Sequence, residues 1–204
     1  MKKFNVLASL AFIIMYGCNK DKYTMPYDYF LYLSILDASG NNLAKGIDCY
    51  VWDSEEGKRS ELVSNDGGVV KPDLYTLEVV FPEPCMDTYH PQPLPGVYSY
   101  DEHVPELAVH KIDDDYFLYL RTNSNYEESA CSKPAEMLIF KLKCSYIFDD
   151  DVVHEIVTYW KEGNKPTHSR LCYRIELDGK ETTEEIVYEY HNQTSRATII
   201  LKSR

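Results

Sequence analysis

The chain has 204 residues, 44% of them hydrophobic, with 33 acidic side chains against 21 basic ones and a formal net charge of −12. That length supports one large domain or two small ones with a real core, and the acidity repels phosphate backbones and anionic lipid, which excludes nucleic-acid partners. Tyrosine stands out at 18 copies beside 7 Phe and 2 Trp, a strand-like composition whose rings carry a polar edge.

Lys2 and Lys3 precede an apolar run from Val6 to Met15 that only Ser9 interrupts. A spanning helix needs about 20 apolar residues, so this run fits a secretory signal instead. It ends in Gly17-Cys18, a small residue followed at once by cysteine, and that ending resembles the lipobox of bacterial lipoproteins. The resemblance implies that residues 1–17 are removed, that Cys18 becomes the first mature residue, and that its sulfur and amine carry acyl chains such as palmitate. Removing residues 1–17 takes away two lysines and no acid, so the net charge falls from −12 to −14. Acyl chains bury at about 0.8 kcal/mol per methylene, and two or three of them hold a protein on a membrane without a basic patch. The expected product is an outer-membrane lipoprotein on the periplasmic or cell-surface face, similar to the small uncharacterised lipoproteins of Bacteroidetes-type bacteria. Residues 18–27 then form a lipidated tether and residues 28–204 the folded body.

The first strand is predicted at Tyr29–Leu36, and Asp37-Ala38-Ser39-Gly40-Asn41-Asn42 after it is turn chemistry. A second strand runs from Leu43 to Trp52. Strand, Asp-x-x-Gly-Asn-x-Leu, then Gly-Ile and strand again resembles the opening hairpin of transthyretin-like and carboxypeptidase-regulatory-like domains, which implies an extracytoplasmic β-sandwich and brings no catalytic residue. Further strands are predicted over 74–81, 116–121, 136–148, 152–160, 171–177, 185–191 and 196–202, with turns at 65–68, 163–166 and 178–180. No dozen residues keep a helical period, so the fold class is all-β, a sandwich of immunoglobulin-like or transthyretin-like type.

Six of the ten prolines fall between Pro82 and Pro105, a composition that a central strand does not tolerate. This stretch reads as an ordered loop or a crossing, with a subdivision into 28–81 and 107–204 around it. The hexamer Asp-Tyr-Phe-Leu-Tyr-Leu occurs on both sides, at 28–33 and 115–120. A duplicated domain or two equivalent strands of one sandwich would each explain it.

Five cysteines follow Cys18, namely Cys49, Cys85, Cys131, Cys144 and Cys172, so an exported chain keeps an odd thiol. Alternation places Cys144 on the core face with Leu138, Phe140, Leu142, Tyr146 and Phe148. Cys172 falls opposite Leu171, Tyr173, Ile175 and Leu177 and is the expected free thiol. The disulfides to test first are Cys49 with Cys85 and Cys131 with Cys144.

Signatures of chemistry are sparse. His168 and Cys172 have the three-residue gap of some zinc pairs but no second close pair, and His154-Glu155-Ile156-Val157-Thr158 lacks the second His of a zinc-protease helix. The acidic triplets 113–115 and 149–151 lack the spaced ligands, glycine and distal Glu of a calcium loop. No Gly-x-Ser-x-Gly elbow and no phosphate cradle occur. The chain therefore reads as a binder rather than an enzyme, with no cofactor beyond the lipid on Cys18. The expected partners are the membrane, through that lipid, and a glycan or other surface ligand stacked on Tyr50, Trp52, Tyr98, Tyr100 and Trp160. The alternatives are a structural role in an outer-membrane or pilus-like complex, with the 136–148 strand as a docking edge guarded by Lys141 and Lys143, and a glycan-active hydrolase.

Overall fold

The computed structural model describes residues 28–53, 58–80, 106–123, 135–163, 169–189 and 194–201. The expectations for the signal, Cys18, the tether, the proline-rich 82–105 segment, Cys85, Cys131 and His168 lie outside them.

The described chain is all-β. Its strands are β1 (Asp28–Leu36), β2 (Cys49–Asp53), β3 (Lys58–Ser64), β4 (Gly68–Val70), β5 (Thr76–Val80), β6 (Ala108–Ile112), β7 (Asp115–Asn123) and β8 (Met137–Lys143). After one helical turn, α1 (Ser145–Phe148), follow β9 (His154–Glu162), β10 (Ser169–Leu177), β11 (Lys180–Glu181), β12 (Thr183–Glu189) and β13 (Thr194–Ile200). The strands run β3-β2-β4-β6-β7-β1-β10-β9-β8-β5, with β13 and β12 branching from β1 and β11 paired to β10.

The sheet forks at β1. Asp28 and Tyr29 pair in parallel with Ser169 and Arg170 of β10, whereas Leu31–Leu36 pair in parallel with Ser195–Ile200 of β13. One hydrophobic cluster draws on both arms of the fork, giving a sandwich-type core: Leu31, Leu33, Ile35, Leu118, Leu120 and Ile199 from one arm, Leu138, Phe140, Leu142, Ile156, Trp160 and Ile175 from the other. Several buried polar groups are bonded, as burial favours. Thr158 Oγ1 donates to Leu138 O at 3.2 Å and accepts from Trp160 Nε1 at 2.7 Å, and Ser195 Oγ accepts from the Cys172 amide at 2.9 Å.

Several sequence expectations change here. The opening hairpin does not form, because β4, β6 and β7 lie between β2 and β1. Residues 43–46 are turn rather than strand. Asn42 explains the diversion: its Nδ2 donates to Tyr116 O on β7 at 2.7 Å while its Oδ1 accepts from the Ala44 amide at 3.0 Å. The turn itself is built as predicted, with Asp37 Oδ1 accepting from the Ser39 and Asn41 amides at 2.8 Å each and Gly40 at a φ of +84°. Strands 28–81 and 107–204 interleave, since β4 pairs with β6, β5 with β8, and β1 with β7, β10 and β13.

The 136–148 strand is shorter than predicted and is no edge. It stops at Lys143, α1 follows, and β8 is paired on both sides, by β9 and by β5. Lys141 and Lys143 meet Glu78 and Asp151 at 3.4 and 2.7 Å instead of guarding a rim. Among the described residues β3 and β5 end the strand order.

Cysteines 49, 144 and 172 are buried free thiols, so neither proposed disulfide involving Cys49 or Cys144 is formed. Cys172 is 0% exposed, not outward. A bulge between Cys172 and Arg174 in the pairing with β9 slips the alternation by one, so Cys172 and Ile175 both face the core and Tyr173 faces out.

Candidate functional site

The two copies of the hexamer sit side by side. Within the antiparallel β1–β7 pair, Leu31 is opposite Leu120, Tyr32 opposite Tyr119 and Leu33 opposite Leu118. Because strand side chains alternate, each copy sends Tyr, Leu and Leu inward and its Phe and second Tyr outward. Tyr29, Leu31, Leu33, Tyr116, Leu118 and Leu120 are accordingly buried, while Phe30, Tyr32 and Tyr119 are half-buried on the other face.

Those outward rings touch one another. Tyr32 and Tyr119 stack at 4.9 Å and 25°, Phe30 and Tyr119 lie parallel at 6.5 Å, and Tyr32 meets Phe117 edge-on at 6.2 Å. His110 of β6 packs 4.7 Å from Tyr119 and 5.5 Å from Tyr32, and the Arg196 guanidinium of β13 lies 5.4 Å over the Phe117 ring. Partial burial holds the His110 imidazole below its ordinary value, so it is neutral at pH 7 and behaves as another flat ring. Aromatic pairs of this kind contribute about 0.5–1.5 kcal/mol each beyond their area, which holds the rings in place against one another.

The register extends this cluster into a row across the sheet. Val63 of β3 pairs with Tyr50 of β2, Tyr50 with Val69 of β4, Val69 with Ala108 of β6, Ala108 with Tyr119, Tyr119 with Tyr32, and Tyr32 with Arg196. Tyr50 follows core-facing Cys49, which puts it on the outer side with the rest. Seven strands at about 4.8 Å spacing make this apolar row about 29 Å long, with a cation at one end.

Of the residues singled out by sequence, Tyr50 therefore joins the row. Trp52 lies in β2, but its side chain is outside the described set, as are Tyr98 and Tyr100. Trp160 is corrected: it is 1% exposed, its ring meets Tyr29 at 5.2 Å and 86°, and its indole N–H is spent on Thr158, so neither face can stack on a sugar. Phe30, Tyr32, Phe117 and Tyr119 were missed although the hexamer signalled them, since alternation within it separates leucines from aromatics.

A second cluster surrounds His154, whose two ring nitrogens meet Asp150 and Asp178. Among the described residues no group of three or more His, Cys, Asp or Glu is placed to hold a metal, and no helix is long and apolar enough to cross a membrane. No family model, no curated protein and no solved structure matches the chain.

Proposed function

We propose that this chain is a lipid-anchored, extracytoplasmic binding module that holds a glycan along the row from Tyr50 through Tyr119 and Tyr32 to Arg196. The anchor rests on the Lys2-Lys3, apolar, Gly17-Cys18 start, which resembles a lipobox. The observation that carries the ligand class is the stacked pair Tyr32–Tyr119 on the outer face, bordered by Phe30 and His110. Flat, preorganised rings present an apolar surface to the C–H face of a sugar, while tyrosine hydroxyls and the Arg196 guanidinium supply polar contacts to its edges. A row normal to the strands suits an extended chain of several sugars better than a single ring.

Binding of the full chain to an array of bacterial and host glycans tests the ligand class, and isothermal titration with the strongest hit tests the site. Tyr119→Ala is expected to weaken that hit about tenfold or more, the loss typical of a central aromatic anchor. An array with no hit sinks the glycan reading. The anchor is tested separately, by labelled palmitate entering the wild-type chain and not Cys18→Ser.

A further inference from the structure

His154 opens β9 and is 5% exposed. Its ring lies 4.0 Å from Phe148 of α1 at an interplanar angle of 24°. Nδ1 is 2.8 Å from Asp178 Oδ2 and Nε2 is 3.0 Å from Asp150 Oδ1. The carboxylates are themselves held: Asp178 Oδ1 accepts from the Glu155 amide at 3.0 Å, and Asp150 Oδ1 from the Val152 amide at 3.1 Å. A neutral imidazole has a single N–H, so one of these contacts would set a ring lone pair against a carboxylate oxygen. Only the doubly protonated ring donates to both.

The surroundings leave the two acids as its electrostatic partners. β8 faces it with Leu142, its register partner, and the neighbouring Lys143 is taken by Asp151 at 2.7 Å. On β9 itself Glu155 pairs in register with Lys141, and α1 contributes Phe148 and, at its C-terminal end, the exposed Asp149 with a φ of +56°.

The corner that this ring organises has consequences elsewhere. Residues 144–153 carry α1, and Tyr146 of α1 donates its hydroxyl to Lys45 O at 2.9 Å, tying this corner to the turn beyond β1. The same corner exposes three apolar side chains, Tyr146, Val152 and Val153, at 47, 54 and 48%. Backbone bonds from the Ile147, Phe148 and Asp149 amides to the Cys144 and Ser145 carbonyls hold α1 internally.

We infer that His154 is a proton-keyed latch: as the imidazolium it clamps Asp150 and Asp178 together and pins the 144–153 corner to β9 and the β10–β11 turn, and on losing a proton it releases one carboxylate and loosens that corner. This goes beyond the binding reading and does not depend on it. Burial by itself would lower the imidazole; the bonds and charges of Asp150 and Asp178 outweigh it and hold His154 above its ordinary value. Since the folded-state value lies above the unfolded one, the stabilisation is complete below about pH 6.5 and is lost as pH rises through the folded value.

Side-chain nitrogen NMR of the full chain in detergent micelles, from pH 5 to 9, reads the protonation state directly, and hydrogen exchange over the same range reads the corner. The expected result is a His154 midpoint above the ordinary imidazole value, with both nitrogens protonated below that midpoint and one proton lost above it. The Ile147, Phe148 and Asp149 amides should lose about tenfold in protection through that transition, as charge-assisted bonds give way. Asp178→Asn and Asp150→Asn should each lower the midpoint. A midpoint at or below the ordinary imidazole value, protection unchanged through the transition, or a midpoint that neither Asn variant moves overturns the proposal.

Discussion

The inner and outer faces of the β1–β7 pair are made from the same two hexamers and do different work. Inward, Leu31, Leu33 and Leu118 are 0% exposed and interlock with residues from the other arm of the sheet. Outward, Tyr32, Tyr119 and Phe30 stack on one another and remain half-buried. A strand pair that must be buried on one side and available on the other places its aliphatic residues where shape-filling matters and its amphipathic rings where contact matters. Substitutions on the two faces should therefore separate stability from binding.

The largest expected effect is on the inner face. Leu118→Ala removes a fully buried side chain from the centre of the cluster and should cost about 2–5 kcal/mol, the range for such cavities. Chemical denaturation of wild type and variant measures it, and a loss below 1 kcal/mol would mean that the core collapses around the gap or that Leu118 is not central. The outer face should behave otherwise. Tyr119→Ala forfeits its stacking on Tyr32 and Phe30 and its contact with His110, about 1–2 kcal/mol of stability, yet it should weaken glycan binding far more than Leu118→Ala does at a temperature where both are folded. Tyr119→Phe sharpens this further, keeping the ring and removing only the hydroxyl, so it should retain most of the affinity if stacking dominates. If Tyr119→Ala destabilises as severely as Leu118→Ala, the two faces are not functionally distinct.

Much of this arrangement was legible in sequence because it is local. Period-two patterning located β1, β5, β7, β9 and β13, and turn chemistry at Asp37–Asn42 and Asp178-Gly179 matches the left-handed residues found there, with φ of +84° at Gly40 and +51° at Asp178. Short or unpatterned strands escaped. β4 has three residues and starts on Gly68, β3 is rich in charge, and β6, Ala-Val-His-Lys-Ile, has too few strand formers to stand out. Gly68 illustrates a constraint that only the pairing explains: its φ is +136°, and an added Cβ would strike the carbonyl oxygen of Tyr50. The candidate row was illegible for the same reason, since it is assembled by six long-range strand pairings. Sequence picked rings by residue type and so chose Trp160, which the β9 register turns inward. The repeated hexamer was the better signal. Its alternate residues already divide into two faces, and its meaning as a central antiparallel pair waited on the topology.

The smallest expected effect tests how dry the inner face is. Cys49, Cys144 and Cys172 are 0, 1 and 0% exposed. Burial, with a smaller contribution from the charge of Asp48, pushes the Cys49 thiol up to about 11. Burial likewise pushes Cys172 up to about 12 against the opposing backbone bonds, and raises Cys144. The reactive species is the thiolate, so all three should resist alkylation in the native protein at pH 8 and should react fully in denaturant, with no change in glycan binding after native treatment. Mass mapping of the labelled peptides distinguishes them. Cys172 is the sensitive position, because without the bulge after it the strand would turn that sulfur outward with Glu176; rapid native labelling there would show that the register slip is absent. With Cys18 acylated as proposed, the denatured, unreduced chain should titrate three thiols if Cys85 and Cys131 are bridged and five if they are not, whereas a count of one would restore the two disulfides that the buried positions of Cys49 and Cys144 argue against.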